Sequence, residues 1–128
     1  MPEPTSTTPI TFDQPYRHLI DGRMEASEST FAVINPSTAE PFADCPDASR
    51  GQLDRAVAAA QLAFATWKRK SWEERRQVLH AFSDALQANE DQLARLLTTE
   101  QGKPLADARA EIRRAAASIR EICGIAIA

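Results

Sequence analysis

Apolar positions along this chain follow two different periods. Between His18 and Pro46 they come in short runs broken by turn residues, and from Leu53 onward they recur every three to four positions. The first pattern predicts two hairpins. His18-Leu19-Ile20 and Arg23-Met24 flank Asp21-Gly22, a pair that supplies the positive φ angles of a two-residue turn. Phe31-Ala32-Val33-Ile34 reads as a third strand, Asn35 to Glu40 as a turn, and Pro41 to Cys45 as the returning strand, ended by Pro46. Proline at both ends suits an edge strand.

The second pattern predicts four helices. Ser49 to Gln52, Ser71 to Glu74 and Asn89 to Gln92 each set a cap residue three positions before Glu or Gln, the spacing of a capping box. One-sided faces follow these boxes: Leu53, Val57, Ala60, Phe64 and Trp67; then Val78, Leu79, Phe82 and Leu86; then Leu93, Leu96 and Leu97. Gly102 stops the third helix and Pro104 opens the first turn of the fourth. The fourth stripe is Leu105, Ala108, Ile112, Ala115, Ala116, Ile119, Ile122 and Cys123, and no cap is expected before Ala128. The order is ββββαααα. One-sided helices and four short strands predict elements that cover something else.

Composition sharpens this division. Seven of the eight prolines lie in residues 1–46, which hold seven acids and two bases, whereas residues 47–128 hold eleven acids and thirteen bases. Residues 1–15 read as a disordered lead. The 128 residues give room for one small domain or a piece of a larger one. No stretch is long enough to span a bilayer and the start lacks a secretory pattern, so a cytoplasmic location is expected. A sequence pI near 5.4 argues against a general nucleic-acid binder.

The candidate chemistry is sparse. Gly22, Gly51, Gly102 and Gly124 are too far apart for a dinucleotide fingerprint or a P-loop. His18 and His80 have no partners at metal-ligand spacing. Cys45 and Cys123 form no C-x-x-C motif and have no evident base beside them, so both read as ordinary free thiols. Lys68-Arg69-Lys70 with Arg75-Arg76 is broken by Glu73-Glu74 and reads as a solvated helix junction, bracketed by Trp67 and Trp72 as packing anchors.

Leu19-Ile20-Asp21-Gly22-Arg23 and Phe31-Ala32-Val33-Ile34-Asn35-Pro36-Ser37-Thr38-Ala39-Glu40 resemble the opening of an NAD(P)-dependent aldehyde dehydrogenase. The resemblance continues through Leu53 to Ala60, Ala63-Phe64, Trp67, Glu74-Arg75-Arg76 and Glu100-Gln101-Gly102-Lys103-Pro104-Leu105. It implies an α/β, Rossmann-type family fold in which residues 16–128 are the incomplete N-terminal part of the NAD-binding domain, two hairpins followed by four helices. It implies aldehyde oxidation to a carboxylic acid by the intact enzyme, a homo-oligomer, with this chain inactive alone. The family's cysteine nucleophile, glutamate base and nucleotide-contacting residues would lie beyond this stretch. NAD or NADP would serve the intact enzyme and not bind this chain alone, whose partner would be the remainder of the enzyme.

One site is implied. Glu100 matches a carboxylate that helps hold a structural monovalent cation in some members, together with a main-chain carbonyl near Ile34. Ala39 stands where the family usually has glycine, which sets a question about the turn's positive φ. A different reading of the same residues is a stand-alone helical interaction module derived from that family. A third is a basic-helix nucleic-acid binder.

Overall fold

The computed structural model describes residues 15–125. The disordered lead expected over residues 1–15 lies, apart from Pro15, outside the described residues, as do residues 126–128. The described chain divides into two compact units between Ser71 and Trp72.

The first unit holds β1 (His18–Ile20), β2 (Arg23–Glu25), β3 (Ser29–Asn35), β4 (Glu40–Asp47) and α1 (Arg50–Trp67). The strands form two separate antiparallel pairs, β1 with β2 and β3 with β4. Asp21 and Gly22 have φ of 51° and 73°, so both central residues of the first turn are left-handed, as a type I′ hairpin requires. Ile20 lies opposite Arg23 and is the buried apolar side chain of the pair.

The second turn is held by its own polar groups. Asn35 Oδ1 accepts from the Ser37 N–H at 2.9 Å, and the Asn35 carbonyl accepts from the Ala39 N–H at 2.8 Å. Ala39 takes φ of 59°, so the left-handed geometry is kept without glycine. The turn is therefore strained, because a Cβ in that region crowds the carbonyl oxygen. A register shift follows between Val33 and Ile34, after which Ile34 lies opposite Pro41. β4 does not end at Pro46 as expected: it runs on to Asp47, with Pro46 opposite Thr30. An edge strand accepts this because the N–H that proline lacks need not face the partner.

Ser49 caps α1 with the full reciprocal box. Its hydroxyl accepts from the Gln52 N–H at 3.2 Å, and Gln52 Oε1 accepts from the Ser49 N–H at 3.1 Å. Gln52 Nε2 also donates to the Ala26 carbonyl at 2.9 Å, and Arg55 pairs with Glu25, so the start of α1 is tied to the end of β2. α1 packs on β1. Its long apolar face does not pack: Leu53, Val57 and Phe64 are at least half exposed and Trp67 is also open, so Trp67 is not the anchor expected.

The second unit holds α2 (Trp72–Ala88), α3 (Glu90–Gln101) and α4 (Leu105–Cys123). α4 packs against both of the others. Its buried stripe is Ala108, Ala116 and Cys123, facing Ser83 of α2 and Ala94 of α3, and none of these five side chains is exposed. Ser83 Oγ donates to the Ala116 carbonyl at 2.9 Å and accepts from Arg120 Nε at 3.0 Å, while Arg120 also pairs with Asp84. Small residues here let two helix backbones approach. Of the larger members of the expected faces, Val78, Phe82 and Ile122 are exposed, whereas Leu79, Leu86, Leu93, Leu96, Leu97, Ile112 and Ile119 are half-buried.

Three terminal expectations are corrected. Asn89 separates α2 from α3, but its side chain does not complete a capping box. Its Nδ2 turns back to donate to the Ala85 carbonyl at 2.8 Å, because φ of −109° and ψ of 16° keep the backbone nearly helical and the amide falls beside the preceding turn. Pro104 lies just outside α4, at the cap position, with its carbonyl accepting from the Asp107 and Ala108 N–H groups at 3.0 Å. α4 stops at Cys123 instead of running on uncapped, since the Gly124 N–H closes on the Arg120, Glu121 and Ile122 carbonyls. Gly102, with φ of 72°, ends α3 as expected.

The strained turn makes a direct prediction. Ala39→Gly should stabilise the first unit by about 0.5–1 kcal/mol, the relief of left-handed strain less the added freedom of the unfolded chain. Thermal unfolding of the two proteins measures it, and an unchanged or lower midpoint would show that the turn holds no strain.

Candidate functional site

The two residues of the expected cation site fall in different units. Glu100 is exposed in the last turn of α3, and Ile34 is exposed beside the irregularity in β3. Each has a local feature that bears on a cation. No basic side chain occupies the last turn of α3, so Glu100 adds negative charge where the helix dipole is already negative. Ile34 lies opposite Pro41, which has no N–H to donate across the ladder.

Neither thiol has the surroundings of a nucleophile. Cys123 is fully buried on α4. Cys45 is half-buried on β4 with its sulfur 3.9 Å from the Pro46 carbonyl oxygen, an acceptor that cannot take the proton. His18 Nε2 lies 2.7 Å from Ser27 Oγ, a bond that links β1 to the segment after β2. Among the described residues, no group of three or more His, Cys, Asp or Glu side chains could hold a metal ion. No helix among them is long and apolar enough to cross a membrane.

Two open grooves lie in the first unit. One, of about 410 Å3, is formed along α1 by Ala60, Ala63, Phe64, Trp67 and Lys70, with Lys68 5.8 Å over the Phe64 ring. The other, of about 370 Å3, lies between the first hairpin and α1, floored by Ile20, Ala58, Ala59 and Leu62 and crossed by the Glu25–Arg55 pair. Neither groove contains a thiol or an imidazole. Nor do the glycines build a phosphate cradle: Gly22 is in a hairpin, Gly51 in the first turn of α1, and Gly102 and Gly124 at helix C-termini. Only Gly51 stands at a helix start, where the capping box occupies the Ser49 and Gln52 N–H groups.

The strongest charge cluster is at the start of α3. Arg113 holds Glu90 through contacts of 2.9 and 3.0 Å, and Asp91 is bound by Arg95 at 2.8 Å and by Arg109. The Arg113 guanidinium holds the Glu90 carboxyl below its usual range, and the Arg95 and Arg109 hydrogen bonds do the same for Asp91. Arg109 and Arg113 come from α4, so the pairs bridge two helices of one unit. Hydrophobic periodicity carried no sign of them; the signal was Glu and Asp in a first turn facing arginines spaced four apart.

The profile of the aldehyde dehydrogenase family matches residues 23–128. A probable aldehyde dehydrogenase from Pseudomonas sp is 40% identical over 116 residues, which cover 91% of this chain and 24% of that protein. A 3-sulfolactaldehyde dehydrogenase from Pseudomonas putida is 45% identical over 95 residues, covering 73% and 20%. Among solved structures, betaine aldehyde dehydrogenase from Staphylococcus aureus, crystallised with NAD+, superposes with a TM-score of 0.80 at 27% identity, over 85% of this chain and 23% of that one. Succinate-semialdehyde dehydrogenase from Burkholderia pseudomallei gives 0.74 at 42% identity, over 79% and 21%. The chain belongs to the aldehyde dehydrogenase family and has part of its α/β fold. It spans about a quarter or less of the length of these relatives.

The α3 cluster predicts a pH dependence. Because both carboxyls are lowered by folding, their contribution is complete above the ordinary carboxylate range. It is lost as pH falls through the lowered values. Urea midpoints followed by circular dichroism should therefore drop with acid, and the drop should be shallower in an Arg109→Gln, Arg113→Gln double variant. Equal slopes would mean the pairs contribute nothing.

Proposed function

We propose that this chain is the N-terminal scaffold segment of an NAD(P)-dependent aldehyde dehydrogenase, and that the chemistry of the intact enzyme is carried by residues outside it. The family match over residues 23–128, on about a quarter or less of the relatives' length, carries this reading. In the intact enzyme an aldehyde would be oxidised to a carboxylic acid through a cysteine thioester, with NAD or NADP as hydride acceptor. The described residues do not fit that acceptor, since they offer no phosphate cradle, so no step through it is assigned to this chain. Its part is to present hairpins and helix faces to the rest of the fold, in an oligomeric enzyme of cytoplasmic location.

Within that scaffold, Glu100 in its unit and the main-chain carbonyl near Ile34 in the other are each a family-implied candidate for ligating a structural monovalent cation. A carboxylate at the negative end of α3, where no basic side chain stands, supports the role of Glu100. The cation would be held without catalytic duty.

Two measurements test the proposal. The isolated chain, given an aldehyde and NAD+ or NADP+, should form no reduced cofactor. Turnover that persists in a Cys45→Ser, Cys123→Ala double variant would overturn the assignment of the chemistry. In a family-length enzyme carrying this segment, Glu100→Gln should reduce the thermal stabilisation by sodium or potassium chloride relative to choline chloride and leave kcat within about twofold. Identical salt responses would remove Glu100 from the cation site.

A further inference from the structure

Asp21-Gly22 makes the first turn and also carries a reactivity of its own. The main-chain nitrogen that follows an aspartate can attack the side-chain carboxyl carbon and close a five-membered ring. Glycine in the following position hinders this least, because it has no Cβ. Among the aspartates and asparagines of the chain, only Asp21 precedes a glycine. Both turn residues are exposed, and a Cβ built on Gly22 would meet no atom within 4 Å, so the described residues leave room for the ring. Most other candidates are closed off by their surroundings. Asp54, Asp84 and Asp107 lie within helices, where the next N–H is held in the ladder, as that of Ala108 is by the Pro104 carbonyl at 3.0 Å. Asp44 lies in the ladder of β4, the Asp91 carboxylate is bound by Arg95 and Arg109, and Asn35 precedes a proline, which has no N–H to give up.

The folded turn holds this reaction in check. Asp21 and Gly22 sit at φ of 51° and 73° with Ile20 paired to Arg23, and closing the ring requires Asp21 to leave that left-handed geometry. The hold is slight. Each strand has three residues, and Ile20, 7% exposed, is the buried apolar side chain of the pair. A two-stranded hairpin of that length opens readily in water.

We infer that Asp21-Gly22 is a modification site at which the chain converts itself to the isoaspartyl form, at a rate set by opening of the first hairpin. In the opened turn the Gly22 nitrogen forms a bond to Asp21 Cγ. The carboxyl hydroxyl departs as water with the Gly22 N–H proton and leaves a succinimide. Water then adds to one of the two ring carbonyls. Addition at Cγ breaks the new bond and restores aspartate. Addition at the main-chain carbonyl breaks the original peptide bond, so that the chain runs through Cβ and Cγ and the former main-chain carbonyl becomes a free α-carboxylate. Only water takes part, and the mass is unchanged. The product has one more carbon in the backbone of a two-residue turn, which no longer fits the type I′ geometry that pairs Ile20 with Arg23. Loss of that pairing uncovers Ile20 and loosens β1, on which α1 packs.

Aged at neutral pH and body temperature, the chain should accumulate isoaspartate at Asp21. The readout is methyl transfer from S-adenosylmethionine by an isoaspartyl methyltransferase, located by peptide mapping. The same chain unfolded in guanidinium chloride should react about tenfold or more faster, and Ile20→Ala, which leaves the dipeptide intact, about threefold or more faster than wild type in buffer. Asp21→Asn keeps a turn of the same type and should convert faster than wild type with release of ammonia, since an amide nitrogen departs more readily than a carboxylate oxygen. Isoaspartate absent from Asp21, or spread evenly over the other aspartates of the folded chain, would overturn the site. An Asp21→Asn chain no faster than wild type would overturn the succinimide route. Equal rates in the folded chain, the unfolded chain and Ile20→Ala would overturn the control by the hairpin. Should Ile20→Ala lose the wild-type helical spectrum, Ile20→Val is read in the same way.

Discussion

The close approach of α2 and α4 at Ser83 and Ala116 is the constraint on which the helical unit depends. A hydroxyl and a methyl group sit between the two backbones, and Ser83 Oγ spans the gap to the Ala116 carbonyl at 2.9 Å. Arg120 then reaches back over the seam to Ser83 and Asp84, which holds the helices in one register. α4 also packs on α3, where Ala94 and Ala108 are fully buried, and Arg109 and Arg113 clamp its first turn. With backbones this near there is no room between them for leucine or phenylalanine. The large apolar residues lie beside the seam instead of in it, Leu79 and Leu86 half-buried, Val78 and Phe82 exposed.

The hairpin and α1 unit has no equivalent. Ile20 is its one buried apolar residue among those described, and Gln52, the other buried side chain, acts as a polar tie to the Ala26 carbonyl. Its cohesion comes from turns, a cap and ion pairs such as Glu25–Arg55, while Leu53, Val57, Phe64 and Trp67 face outward along α1. A chain that spends its small residues on close seams and leaves its large ones open is built to be covered. The same chain matches about a quarter of the length of the aldehyde dehydrogenases.

Wherever one residue type has one conformational use, the local structure was legible from the sequence. Asp21-Gly22 made the hairpin, Ser49 and Gln52 made the box, and Gly102 ended α3. Asn89 failed because an amide has two uses at a helix junction, and a backbone left nearly helical chose the donor one. The α4 stripe was legible, since it already held Ala108, Ala116 and Cys123, but the faces of α1 and α2 were misjudged for a different reason. Hydrophobic periodicity weights leucine and phenylalanine, whereas the fully buried positions of α2 and α3 are Ser83 and Ala94, which carry little weight in such a pattern. Glu100 and Ile34 were not legible from spacing at all; they came from the family resemblance.

Amide hydrogen exchange on the isolated chain tests this division of labour most directly. The slowest amides should lie around Ser83 in α2 and from Ala108 to Arg120 in α4, and those of α1 from Val57 to Trp67 should exchange far faster despite an intact cap. Equal protection of α1 and α4 would contradict the account, since the open face of α1 would then have a cover within the chain itself.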